Sequence, residues 1–135
     1  MSKNLLLVIA LIFGASAFGE GQARASSPYD SDAYIYLLRG YSYAWTVHNH
    51  HPANSDAYLA YYNGYYAAYY ASLADLQDLN SWFFPCWSFA EYYANRAAFY
   101  SYYACVELGD ADAYEAYWYF YVGADYAYYA NLYSN

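Results

Sequence analysis

An all-α fold is what this sequence predicts: an antiparallel up-down four-helix bundle with small-residue (Ala/Gly) helix seams flanked by tyrosines. Three observations lead there. Small residues recur at steps of three and four in four separate stretches, capping residues punctuate those stretches, and the turn signals that a sheet needs are scarce. The first stretch carries Ala33, Leu37, Gly40, Ala44 and Val47, and the second Ala57, Ala60, Gly64, Ala67, Ala71 and Ala74. Ala90, Ala94, Ala97, Ser101, Ala104 and Leu108 repeat the steps, as do Ala113, Ala116, Phe120, Gly123, Ala127 and Ala130. Such alternation averages about 3.5 residues, the period of a stripe that faces a partner helix. Side chains this small let helix backbones approach closely.

The elements follow in order. A first helix is expected near 32–47, with Ser31 and Asp32 ahead of Ala33 as N-cap oxygens and as negative charge at the positive end of the dipole. The segment His48 to Asn54, with Pro52 inside it, ends that helix. A second is expected near 55–79, opened by Ser55 and Asp56 and closed by the run from Asn80 to Pro85. The third spans 85–108, since proline is accepted in a first turn. Gly109 reads as its C′ stop, and Asp110 caps a fourth helix over 111–133. A junction that short suits only an antiparallel pair. Ser31 to Ala44 and Ser55 to Ala68 also match at several positions, Gly40 and Gly64 among them, which reads as duplication of one helix.

Strand is the rival. Tyrosine forms strands well, and Tyr34-Ile35-Tyr36 or Tyr41-Ser42-Tyr43 alternate with period two. The many alanines favour helix by roughly half a kcal/mol each over aromatics. No proline follows Pro85, and Asn63-Gly64 is the one Asn-Gly pair. A disordered polymer conflicts with a chain that is 61% hydrophobic and 27% aromatic.

The N-terminus predicts export. Lys3, the apolar run Leu5 to Phe13 and Ala15-Ser16-Ala17 read as a signal peptide over 1–17, with an alternative cleavage after Ala25. The apolar run is shorter than the roughly 20 residues needed to span a bilayer. A flexible segment over 18–30 and a single helical domain over 31–135 complete the expected organisation, with secretion, the periplasm or the cell surface as destination. Removing Lys3 takes the formal charge from −8 to −9 and leaves no lysine. Phosphate neutralisation needs several cations, so nucleic acid is excluded as a partner, and no membrane span is expected in the mature chain. Cys86 and Cys105 are an even pair in an oxidising compartment, yet one helix would hold them about 28 Å apart, against the 7 Å limit for a disulfide. No bridge within the chain is expected.

Tyrosine supplies 25 of the 135 residues. Laying a phenol along a helix groove buries the ring and leaves its oxygen at the surface. One small bundle cannot cover all of them, and large exposed apolar patches mark interaction sites. Tyr58, Tyr62, Tyr65, Tyr66 and Tyr69 on the second helix are therefore interaction candidates. So are Trp82, Phe83, Phe84 and Trp87, which otherwise plug one end of the bundle. His48, His50 and His51 form a short tract that could hold Zn, Cu or Ni, with a solvated loop as the plainer reading. Asp30-x-Asp32 and Asp110-x-Asp112 open like calcium loops but lack the glycine and glutamate that follow in one. No catalytic or cofactor-binding motif occurs, and no cofactor is expected. The expected role is a non-enzymatic, self-associating component of an extracellular or cell-envelope layer, with itself or other matrix components as partners. The alternative is a secreted module binding a glycan or an aromatic or apolar ligand through Tyr and Trp faces.

Overall fold

The computed structural model describes residues 27–134. Four helices follow one another: α1 Asp30–His50, α2 Ser55–Leu76, α3 Cys86–Leu108 and α4 Ala111–Tyr133. They form a helical bundle in which α1 and α3 each pack against both α2 and α4. No strand occurs among the described residues; the nearest to one is an isolated bridge between Asn80 and Pro85. The expected signal peptide and most of the 18–30 segment lie outside the described residues, and Asp30, the last of that segment, opens α1.

Every small residue at the three-and-four spacing is buried, and of all the positions in that pattern only Leu108 is half-exposed. The core is therefore mostly alanine, with Trp87, Tyr41, Phe120, Leu37 and Val47 as its largest fully buried side chains. Two close approaches show why glycine is needed. Phe120 of α4 sits against Gly40 of α1 and Gly64 of α2, where an added Cβ would lie 2.7 Å and 2.4 Å from ring carbons. Leu37 of α1 meets Gly123 of α4, where a Cβ would lie 2.6 Å away. The glycine shared by the two matching sequence stretches thus has one physical cause: both copies admit the same phenyl ring.

The helix ends differ from expectation where local hydrogen bonds decide them. α1 begins earlier because the Ser27 carbonyl accepts from Asp30 N–H at 3.2 Å and Ser27 Oγ accepts from Tyr29 N–H at 3.1 Å. Ser31 and Asp32 fall inside the first turn and do not cap it. The helix runs on through the histidines until His51 N–H closes onto the Val47 carbonyl at 2.9 Å, one residue before Pro52. Asn54, not Ser55 or Asp56, caps α2, its Oδ1 accepting from Ala57 N–H at 2.8 Å. α2 stops at Leu76 because Asp78 turns left-handed at φ 52° and Leu79 N–H folds back to the Leu73 carbonyl at 3.0 Å. Aspartate tolerates that conformation better than most residues. Pro85 is the N-cap of α3 and not its first residue. Gly109 ends α3 at φ 61°, its N–H bonded to the Cys105 carbonyl at 2.8 Å. Asp110 then caps α4, with Oδ1 accepting from Asp112 N–H at 2.8 Å.

Candidate functional site

Tyrosines occupy all four lines of contact between adjacent helices. Tyr36 and Tyr43 of α1 meet Tyr119 of α4 at 5.5 and 5.6 Å between ring centroids, and Tyr41 meets Tyr61 of α2 at 5.7 Å. Tyr70 of α2 lies 5.8 Å from Tyr93 of α3, and Tyr102 of α3 lies 5.6 Å from Tyr117 of α4. Spacings of 4.5–7 Å are those at which aromatic pairs attract beyond simple burial. Burial and the phenols of Tyr61 and Tyr65 push the Tyr41 hydroxyl well above the ordinary tyrosine range.

Along α2 the rings form a ladder at four-residue intervals. Tyr58 to Tyr62 is 6.2 Å, Tyr62 to Tyr66 is 5.1 Å, and Tyr66 to Tyr70 is 6.5 Å. Such residues are neighbours on a helix surface. From Tyr70 the series crosses to Phe89 at 5.1 Å and reaches Phe84 at 5.9 Å. Of the tyrosines expected to form an interaction surface, Tyr58 and Tyr62 are exposed. Tyr65, Tyr66 and Tyr69 are half-buried among other rings.

The aromatic cluster at the start of α3 divides in two. Trp82 is 89% exposed and Phe83 is 75% exposed, the indole and phenyl meeting edge to face at 5.9 Å. Trp87 is 0% exposed and belongs to the core, so it is removed from the interaction surface. The backbone explains the split. The Asn80 side chain accepts from Trp87 N–H at 2.9 Å and donates to Asn131 and Ser134 of the α4 end at 3.3 and 3.2 Å. That fixes the first turn of α3 with Trp87 inward, while the bend before it throws Trp82 and Phe83 outward. Two clefts flank the bend. One of about 360 Å³ is lined by Asn80, Ser81, Trp82, Pro85, Asn131 and Ser134. The other, about 340 Å³, is lined by Leu79, Ser81, Phe83 and Phe84.

The three histidines of the tract make separate contacts. His48 stacks on Tyr61 at 5.2 Å, His50 is exposed, and His51 Nε2 lies 3.0 Å from Asp110 Oδ2. Among the described residues no group of three His, Cys, Asp or Glu side chains converges on one point. Cys86 and Cys105 are free thiols at opposite ends of the unbroken α3, and burial raises the Cys86 thiol to about 11.

Sequence reasoning missed two features. Asp30 is buried at the start of α1, near Asp75 and Asp78 at the end of α2; burial first, then Asp75, raises its carboxyl to about 6. Burial and then Asp78 also raise the Asp75 carboxyl above its usual range. Three aspartates far apart in sequence carry no local signal of meeting. The second feature is the outer surface of α3 and α4, where Tyr92, Phe99, Tyr102, Tyr103, Tyr114 and Tyr121 are all exposed. These positions lie off the small-residue stripe, and that phase could have located them. On α3 the surface includes an open groove of about 540 Å³ in which Arg96 lies over the rings of Tyr92 and Tyr100 at 5.6 and 5.8 Å. Arg96 Nε also donates to Asn63 Oδ1 at 3.3 Å, and Arg39 lies over Tyr119 at 5.9 Å.

No helix among the described residues is long and apolar enough to cross a membrane. The chain matches no family model, and no curated protein or solved structure is detectably similar to it.

Proposed function

We propose that this chain is a non-enzymatic, exported, self-associating structural protein of an extracellular or cell-envelope layer. Its scaffold is an up-down antiparallel bundle whose Ala and Gly seams are flanked by tyrosines. The two-residue junction at 109–110 supports that arrangement, as does Tyr29, ahead of α1, meeting Tyr129 and Tyr133 near the end of α4 at 5.4 and 5.8 Å. The burial of Gly40, Gly64 and Gly123 against Phe120 and Leu37 supports the seams.

The observation that carries the functional reading is the aromatic outer surface of α3 and α4. Tyrosines already line each contact between adjacent helices, yet Tyr92, Phe99, Tyr102, Tyr103, Tyr114 and Tyr121 remain exposed. Within one copy these rings touch neighbouring rings beside them, which leaves much of each in solvent, and a surface of this kind favours contact with another copy. Tyrosine supplies large contact area at low conformational cost, with a hydroxyl that tolerates water at the rim. The negative formal charge, −8 for the whole sequence and −9 once Lys3 is removed, helps keep unassembled chains soluble. The test is sedimentation velocity over a wide concentration series. The mass should rise with concentration and persist at high salt, since the contacts are apolar. A clean monomer throughout that range would overturn the reading.

A second reading is favoured by one observation, the outward Trp82 and Phe83 beside two clefts. Flat aromatic faces of this sort stack on sugar rings or on an aromatic or apolar ligand, which makes a secreted glycan-binding module the alternative.

A further inference from the structure

We propose that Tyr93 is a site of oxidative crosslinking, at which phenol coupling joins α3 covalently to α2 within one chain. Tyr93 stands between two rungs of the α2 ladder, 5.3 Å from Tyr66 and 5.8 Å from Tyr70. The Tyr70 and Tyr93 rings are nearly parallel at 9°, and those of Tyr66 and Tyr93 are inclined at 32°. A modest tilt brings the carbon ortho to one hydroxyl against the ortho carbon of the other. Because Tyr66 and Tyr70 lie on α2 and Tyr93 on α3, the product links two separate elements.

Tyr36 of α1 and Tyr126 of α4, 5.1 Å apart and inclined at 32°, match this geometry but lie off the α2 ladder; the remaining pairs that bridge helices suit the reaction less well. Tyr41 is fully buried in the packed core, where its ring is least free to tilt toward Tyr61. Tyr119 lies under the Arg39 guanidinium, and a cation over the ring opposes loss of an electron. Tyr102 and Tyr117 are inclined at 56°. The α2 ladder also begins in solvent, at the exposed rings of Tyr58 and Tyr62, and reaches Tyr66 and Tyr70 through successive ring contacts. An electron removed at the surface is thus replaced from deeper rungs, and the radical moves toward the place where two helices meet.

The oxidant is hydrogen peroxide acting through a haem peroxidase. Each phenol loses one electron and its hydroxyl proton, giving two phenoxyl radicals. Their ortho carbons form one carbon–carbon bond, and the hydrogens on those carbons move to the oxygens as the rings regain aromaticity. Two electrons and two protons leave the chain, and they reduce one hydrogen peroxide to two waters. As a way of stiffening an assembled layer, the linkage rests on the structural role proposed above; as chemistry of a single folded chain it does not.

The experiment treats dilute protein with peroxidase and hydrogen peroxide, isolates the monomer band on a denaturing gel, and digests it with a proteinase that cleaves before aspartate. Asp75 and Asp78 separate Tyr66 and Tyr70 from Tyr93, so coupling yields peptide 56–74 joined to peptide 78–109 with the loss of two hydrogens. That species should be lost in Tyr93→Phe, which keeps the ring and its packing, and retained in Tyr92→Phe. Circular dichroism confirms that both variants remain folded. Survival of the joined peptides in Tyr93→Phe, or coupling found only elsewhere in the chain or only between chains, overturns the assignment. Self-association is read separately by sedimentation of the untreated protein, so either idea can fail alone.

Discussion

The two ends of the bundle are built from opposite materials. Where the α1–α2 loop meets the α3–α4 junction, polar groups satisfy one another: His51 lies 3.0 Å from Asp110, and Asn54 donates to Glu107 at 3.5 Å. Asn54 and Asp110 also cap the two helices that start there. The end around residues 77–85 has an equally defined anchor in Asn80, yet Trp82 and Phe83 stand in solvent beside it. Near the start of α1 and the end of α2, Asp30, Asp75 and Asp78 gather with no arginine among the described residues facing them, since Arg39 lies against Tyr119 and Arg96 against Tyr92 and Tyr100. Folding alone would favour the first construction at both ends. Exposed indole and crowded carboxylates are features that stability does not explain, and in proteins such departures concentrate where function resides.

The contrast is broken most severely by removing what roots the aromatic end. Trp87→Ala empties a fully buried site beneath the Asn80 anchor. The expected loss is about 3–5 kcal/mol of unfolding free energy, the usual cost of truncating a core aromatic. Chemical denaturation followed by far-ultraviolet circular dichroism measures it. A loss below about 1 kcal/mol, an ordinary value for point substitutions, would mean that the core does not depend on this indole and that the end is held by Asn80 alone.

The crowded carboxylates give the next effect, and its sign depends on pH. In the folded chain the Asp30 carboxyl is raised from 3.8 to about 6. The folded state therefore binds this proton more tightly than the unfolded one. The stabilisation is fully present below the unfolded value and is lost as pH rises through about 6. The raised Asp75 and Glu91 carboxyls act in the same direction. Thermal stability should accordingly be higher near pH 4 than at pH 7. Asp30→Asn removes the largest part of this dependence and stabilises the protein at pH 7 by about 1–2 kcal/mol, after allowing for the lost favourable charge at the start of α1. Near pH 4 variant and parent should melt together. Parallel melting curves across the whole range would show that Asp30 is not the group responsible.

How far these ends could be read from sequence depends on the range of the interaction. The inward stripe was legible because it is periodic: Ala33, Ala60, Ala94 and Ala116 each announce their direction by their neighbours three and four residues away. Gly109 was legible because a left-handed residue at a helix end favours glycine, and Asp110 because capping is local. Asn54 and Ser27 were missed because several oxygens stand near each helix start, and the backbone selects among them only once the loop is closed. Trp82 and Trp87 show the limit most clearly. Five residues apart and alike in composition, they were assigned to one surface. Asn80 separates them by bonding a backbone N–H on one side and Asn131 and Ser134 on the other, contacts at sequence separations of 7, 51 and 54 residues. The gathering of Asp30, Asp75 and Asp78 and the wedge of Phe120 between Gly40 and Gly64 are of the same long-range kind.

The smallest expected effect on stability is the most discriminating for function. Trp82→Ser changes a side chain that is 89% exposed, so unfolding free energy should move by no more than about 0.5 kcal/mol. If the outer surface of α3 and α4 drives assembly, the association midpoint of this variant should shift by less than about tenfold, or 1.4 kcal/mol. A panel of oligosaccharides should then leave the tryptophan fluorescence of the parent chain unchanged. Should a sugar quench the parent and not Trp82→Ser, while assembly is unaffected, the aromatic end is a glycan site and the second reading takes the place of the first. Should the variant instead abolish assembly with no sugar response, self-contact runs through the bend at 82–84, and the α3–α4 surface loses its assigned role. The single indole thus separates three arrangements of the molecule that share one fold.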